Sequence, residues 1–353
     1  MILYLNKYNG RTFDKIAVLD NAKSVIWVKR YADCGEFEIY INATSELLNL
    51  LLKGEIIVTR DDDDVAMYIE KIQLTVDNEN GNFIIISGRT AECILARRVI
   101  NKQTILSGKA ENAIRKLLTD NIINPSDSNR KVDIITLSEV NSWTETINMQ
   151  ITGDDLLTAV RDICKSYGYG FKLSYENNKF VFYLYKGQDR SYRQSSNSFV
   201  VFSPQFENLI KSEYVRDDTE TSKYAYIAGE GEGINRKIVS LSVGTLTGLM
   251  RKEIWVDARD ISSNDGEVSD SEYRNQLLRK GYEELANHKI ITEFNGTIAN
   301  MNNFVYGKDY FLGDKVSIEN QYGIKANVII TEVCETEDET GYSIVPAFEE
   351  WSE

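Results

Sequence analysis

Phe37-Glu38-Ile39-Tyr40-Ile41 places apolar side chains at every second position. Successive side chains of a strand point to opposite faces, so Phe37, Ile39 and Ile41 share one face. That alternation predicts a strand with one buried side. Upstream, residues 16–19 and 25–31 are short β-branched and aromatic runs, and Asp20-Asn21-Ala22-Lys23 between them is a turn signal. Downstream, Thr44 is placed to cap a short helix over 45–53, which Gly54 ends. Strands follow over 55–60 and 66–76, around the loop Asp61-Asp62-Asp63-Asp64. The turn Asp77-Asn78-Glu79-Asn80-Gly81 leads to a strand over 82–87 and a helical segment over 90–98. The first hundred residues therefore read as mainly β.

Helical spacing appears next. Ala110, Ala113, Ile114, Leu117 and Leu118 follow Ser107, and the loop Asn124-Pro125-Ser126 ends that stretch. Leu156, Val160, Ile163, Cys164 and Tyr167 form one apolar stripe, entered through Gly153–Asp155 and left at Gly168. Residues 171–175 and 179–185 form a hairpin about Glu176-Asn177-Asn178. The polar, Ser- and Arg-rich stretch 188–197 marks a domain boundary. Beyond it, 209–216 and 223–229 read as paired strands. Gly229-Glu230-Gly231-Glu232-Gly233 is a tip, followed by strands over 237–243 and 254–258. Residues 260–271 form a loop into a helix over 272–287, with Ser269 and Glu272 as a capping box. Strands over 292–299, 310–318, 326–334 and 342–347 complete the chain.

A chain of 353 residues, 42% hydrophobic and 27% charged, fits two or three packed domains of ~100–200 residues each. With 3 prolines it holds no proline-rich stalk. The formal charge of -14 disfavours stable binding to a phosphate backbone and favours solubility. No apolar run approaches the ~20 residues of a membrane helix, and residues 1–15 lack the pattern of a secretory signal. Cys34, Cys93, Cys164 and Cys334 are widely and irregularly spaced, which reads as free, mostly buried thiols.

Catalytic patterns are missing. The single histidine, His288, lies near a predicted helix end, where the helix dipole favours it. The cysteines lack zinc spacing. Gly229-x-Gly231-x-Gly233 lacks the last glycine of a dinucleotide loop and lies between two strands. Ser107-Gly108-Lys109 lacks the upstream glycine of a P-loop, and no GxSxG motif is present. Asp61–Asp64 does not space its carboxylates as an EF-hand does and reads as a solvated loop tip, with weak calcium binding as the alternative. The 20 tyrosines suit sheet interiors and protein interfaces alike. Carboxylate pairs for glycoside hydrolysis have no fixed spacing, and 54 acidic residues make any pair uninformative. No catalytic, cofactor-binding or metal-binding residue is assigned, and no cofactor is expected.

Three stretches, in this order, resemble the tail hub proteins of siphophages, a family similar to the baseplate hub of contractile tails and tail-like particles. They are Gly88-Arg89-Thr90 with 91–100; 152–173, with Gly153-Asp154-Asp155-Leu156-Leu157 and Gly168-Tyr169-Gly170-Phe171; and 306–316, with Asp309-Tyr310-Phe311-Leu312-Gly313-Asp314-Lys315-Val316. The resemblance covers nearly the whole chain. It implies a mainly β protein with α+β parts: two β-barrel-like tube domains plus smaller inserted α/β domains. On that pattern 1–104 is the first tube domain and 105–198 an α/β domain. Residues 199–243 with 295–353 are the second tube domain, and 244–294 a helical insertion. The implied assembly is a homotrimer in a virion tail or phage-like particle, made in the bacterial cytoplasm. A distal tail or tube protein stands above it, and a spike, fibre or lysin below. The implied role is structural, not enzymatic. A receptor- or carbohydrate-binding tail module is the second reading, and a tail-associated cell-wall hydrolase the third.

Overall fold

The alternation at Phe37–Ile41 becomes the strand Glu36–Asn42, with Phe37, Ile39 and Ile41 buried and Glu36 and Glu38 exposed. Thr44 caps the following helix by accepting the Leu47 N–H through its side chain. The computed structural model describes residues 1–77, 79, 81–263, 268–298 and 303–350.

In chain order, β1 is Leu3–Tyr8, β2 Phe13–Leu19, β3 Ser24–Arg30 and β4 Glu36–Asn42. Helix α1 (Ser45–Leu51) precedes β5 (Ile56–Thr59), β6 (Met67–Asp77) and β7 (Gly81–Thr90). Then come β8 (Thr104–Lys109), α2 (Ala110–Leu118), β9 (Ile135–Leu137), β10 (Thr146–Ile151) and α3 (Leu156–Tyr167). The hairpin β11 (Gly170–Glu176) and β12 (Lys179–Tyr185) is followed by β13 (Val201–Phe202) and β14 (Leu209–Asp217). Next are β15 (Tyr224–Ala228), β16 (Ile238–Ser242), β17 (Glu253–Asp257) and α4 (Asp270–Asn287). The chain closes with β18 (Ile291–Ile298), β19 (Lys315–Glu319), β20 (Lys325–Asp338) and β21 (Gly341–Glu350).

Two units result, Met1–Ser212 with Phe294–Glu353, and Glu213–Glu293. The larger is built on an 11-stranded sheet of order β13-β19-β20-β3-β4-β7-β6-β5-β1-β2, with β21 also paired to β20. Its centre joins the two ends of the chain: β3 and β20 pair antiparallel from Arg30↔Glu332 to Val25↔Glu337. Against this sheet the stretch 105–185 packs its own α/β layer. Ala113, Ile114 and Leu117 of α2 and Val160, Ile163 and Cys164 of α3 share a core with Phe171 and Phe182 of the hairpin. The α3 stripe ends where expected, at Gly168 in the left-handed conformation (φ 65°). Asn177 and Asn178 turn the hairpin with φ of 50° and 63°, as a tight twisted hairpin requires. The smaller unit is a three-stranded sheet, β16-β15-β17, with α4 on one face.

The chain is mostly β, as the sequence reading expects, and 11 of its strands form one large open sheet. Several elements differ from the reading of the sequence. The helical segment expected over 90–98 is a 3-10 helix, Ala91–Arg97, because β7 runs on through Thr90. The strand expected over 310–318 begins only at Lys315, because Gly313 (φ 86°) turns the chain just before it. Residues 209–216 do not pair with 223–229: β14 pairs with β18, whereas β15 is a central strand between β16 and β17. Periodicity identifies a strand but not its partner. The part of the predicted 292–299 strand beyond Ile298 lies outside the described residues.

Candidate functional site: a junction around Tyr31

Tyr31 leaves β3 at the point where three parts of the larger unit meet. Its N–H donates to the Thr331 carbonyl at 2.8 Å, and its own carbonyl accepts the Phe171 N–H at 3.0 Å. Its hydroxyl donates to the Gly168 carbonyl at 2.9 Å and accepts the Gly187 N–H at 3.3 Å. The ring fits because two glycines leave room for it. A Cβ on Gly170 or on Gly313 would lie 2.2 Å from the ring. Burial pushes the phenol up to about 12, so Tyr31 stays neutral.

The three stretches that carry the family resemblance converge here. Glu92 accepts the Leu173 N–H at 2.6 Å, joining the first stretch to the second. Tyr31 joins the second, through Gly168 and Gly170, to the third, through Gly313. Asp314 anchors the third: its carboxylate accepts from the Gln188 N–H (2.6 Å), Arg190 Nε (2.7 Å) and the Phe311 N–H (3.0 Å). The polar stretch after residue 187 is thereby held beside β19, with the Arg190 N–H donating to the Lys315 carbonyl.

Beside Tyr31 opens a cleft of about 870 Å³. A chain of paired charges crosses its wall. Lys29 lies between Asp63 (3.0 Å) and Glu335 (2.7 Å), and Arg60 between Glu335 (2.8 Å) and Asp62 (2.8 Å). The Tyr342 hydroxyl donates to Glu335 at 2.7 Å. Burial works against ionising Glu335, yet Lys29, Tyr342 and Arg60 outweigh it and hold its carboxyl below the usual range. Burial likewise opposes the charge on Lys29, but Tyr306 and the carboxylates of Asp63 and Glu335 raise its pKa.

The loop Asp61–Asp64 is not a freely solvated tip. Asp61 accepts the Tyr4 hydroxyl, Asp62 and Asp63 hold Arg60 and Lys29, and Asp64 holds Lys172 and the Ser174 hydroxyl. Among the described residues no group of three or more His, Cys, Asp or Glu is arranged to hold a metal. Glu92 behaves oppositely to Glu335. It is fully buried, its second oxygen has no hydrogen-bond partner, and desolvation raises its pKa. Burial disfavours the charged form of a carboxyl, and here it outweighs the Thr90 and Leu173 hydrogen bonds and the more distant charge of Lys172.

The other candidates are structural. His288 caps the C-terminus of α4, with Nδ1 2.9 Å from the Glu284 carbonyl. Gly229–Gly233 lies in the turn from β15 to β16. All four cysteines are free, and burial pushes the Cys93 thiol up to about 12, which leaves it unreactive. Tyr31, Lys29 and Glu335 were not singled out from the sequence. Their partners lie up to 306 positions away (Glu335 against Lys29), and no local pattern marks them.

The fold recurs in solved structures. A 43 kDa tail protein of prophage MuSo2 from Shewanella oneidensis matches with a TM-score of 0.60 at 11% identity, covering 99% of this chain and 98% of that one. The tail protein from Neisseria meningitidis MC58 matches at 0.58 and 13% identity, covering 99% and 96%. A chain of the lidded Francisella PdpA-VgrG complex matches at 0.54 and 12% identity, where 99% of this chain spans 52% of that one. Among curated proteins no sequence matches. Residues 7–348 match the family described as Siphovirus ReqiPepy6 Gp37-like protein, so the chain belongs to that siphovirus tail protein family and its place is the virion tail.

Proposed function

We propose that the chain is the hub at the distal end of the tail. Three copies would form a ring joining the tube above to a spike, fibre or lysin below. The observation that carries this reading is the β3–β20 pairing. It makes one continuous sheet from the strands of the proposed first tube domain (1–104) and from β13, β19, β20 and β21 of the proposed second (199–243 with 295–353), whose β15 and β16 stand in the separate small sheet. Such a sheet is open, with β2 at one end and β13 at the other. Open edges favour continuation into a neighbouring copy, and a head-to-tail contact of that kind closes into a ring when its rotation divides the circle.

The role is mechanical. The junction around Tyr31 ties both halves of the sheet to the α/β stretch 105–185, so load on one part passes to the others. The acidic balance would let DNA slide through a lumen by like-charge repulsion.

Light scattering of the purified chain, alone and with its tail-tube neighbour, tests the ring. The expected mass is three times 40.3 kDa. A monomer under both conditions sinks the ring and moves the chain toward a peripheral binding role.

A further inference from the structure

In the smaller unit, α4 covers one face of the sheet. Tyr273, Leu277 and Leu285 of the helix pack on Ala225, Ile227, Val239, Leu241 and Val256. Among the described residues no helix lies on the opposite face, and there the alternate residues of the same strands point outward. Trp255 is 58% exposed, although a tryptophan on a packed sheet normally finds cover. Tyr226 is its registered neighbour on β15, one strand away, and Tyr224 follows on the same face with ring centroids 5.1 Å from Tyr226.

Hydrogen-bonding groups frame these rings and are already held in place. Arg251 stacks over Tyr224 at 3.6 Å, donates to the Tyr226 hydroxyl at 3.1 Å and pairs with Glu253. At the other end Arg236 lies 5.6 Å from the Trp255 ring centre and donates to Asp257 at 2.7 Å. Arg236 is fixed further by the carbonyls of Gly229 and Ala228, and Asp257 is held also by Arg259 at 2.6 Å. Ser240 stands opposite Tyr226 on the neighbouring strand β16.

We infer that this face is a binding platform for a neutral oligosaccharide. A sugar ring offers two surfaces, an apolar C–H face and an edge of hydroxyls. The platform offers the complement of both: aromatic rings at the spacing of neighbouring strands, with preordered carboxylates and guanidinium groups between them. Planar charged groups make two parallel hydrogen bonds and so read adjacent hydroxyls. Arg251 pairs with Glu253, and Arg236 and Arg259 share Asp257, so the face keeps one excess positive charge, which gives a polyanion such as a nucleic acid little attraction. An apolar protein helix laid here would bury Arg251, Glu253, Arg236 and Asp257 away from water, at a desolvation cost that a polyol avoids by supplying hydrogen bonds. This inference is independent of the ring, because light scattering reads assembly and does not read this face.

The full-length protein is applied to an array of neutral oligosaccharides containing glucose, galactose, rhamnose and N-acetylhexosamine polymers. The best binder is then titrated by calorimetry. Binding is expected, with affinity lowered about tenfold or more in Trp255→Ala and less in Tyr226→Phe, which keeps the ring and loses only the hydroxyl. Thermal unfolding of Trp255→Ala should match the parent, since the side chain is exposed. Absence of binding across the array overturns the inference. Binding indifferent to Trp255→Ala also overturns it, as does a purified tail protein that binds this face in a Trp255-dependent way while no glycan does.

Discussion

The two units use the same side-chain types in opposite ways. In the larger, Tyr31 and Glu335 are buried and their hydrogen bonds run to distant parts of the chain. In the smaller, Tyr226 and Trp255 stand on the open face of a finished sheet, beside cations whose partners lie at most 25 positions away. Long-range, buried pairing holds architecture together, because breaking it leaves an orphaned group in a dry interior. Short-range, exposed pairing adds little stability and instead fixes the geometry of a surface. Substitutions should therefore separate the two units by their effect on folding.

The largest effect is expected at Gly313. An alanine there meets the Tyr31 ring and also has to adopt φ near 86°. Overlap in a packed interior and left-handed backbone each cost about 1–3 kcal/mol, so Gly313→Ala should lose about 3 kcal/mol or more. Its soluble yield and melting temperature should both fall. An unchanged melting temperature would mean that Tyr31 is not wedged as described, and the contrast between the units would weaken at its centre.

Glu335→Gln comes next. It leaves Lys29 with Asp63 and Arg60 with Asp62, but strips the charge between the two cations. The expected loss is about 3 kcal/mol, read from the urea midpoint. The pH dependence has a definite sign. The folded-state pKa of Glu335 is depressed, so its contribution is present above the unfolded value of about 4.3 and is lost as pH falls through the folded value. The variant should lack that part of the acid lability. Tyr31→Phe removes only the hydroxyl, and loss of its bonds to Gly168 and Gly187 should cost about 1–2 kcal/mol.

Much of the strand content was legible, and the reason is local. Alternation marks β4, a stripe marks α3 and Gly168 marks its end, because each signal lies within one element. Strand β8 was missed because its sequence, Thr-Ile-Leu-Ser-Gly-Lys, buries only Leu106 and so shows no period. The β14–β18 pairing was missed because about 80 residues separate partners that no pattern links. The site was legible only in outline. Gly88 packs against the β6 backbone, Gly168 ends α3 in the left-handed conformation and Gly313 leaves room for the Tyr31 ring, yet nothing local says that these stretches approach one another. The four aspartates looked alike in sequence and differ in structure, since each finds a different distant partner.

Glu92 offers the smallest effect and the most discriminating sign. Its folded-state pKa is raised by desolvation, the reverse of Glu335. Between the unfolded pKa of about 4.3 and the raised folded value, the unfolded chain releases this proton while the folded chain keeps it. Stability therefore falls as pH rises through that window, and above it the cost stays constant. A glutamine has nearly the same shape, still accepts the Leu173 N–H, and does not titrate. Glu92→Gln should match the parent below pH 4 and be equal to it or more stable by about 1 kcal/mol at neutral pH. Urea midpoints measured in steps across that range read the difference directly. A variant clearly less stable at pH 7 would mean that Glu92 is ionised and paired in the folded chain. The larger unit would then rest on two charged ties of the same kind, and the neutral contact between the first and second stretches would be lost from the account of the junction.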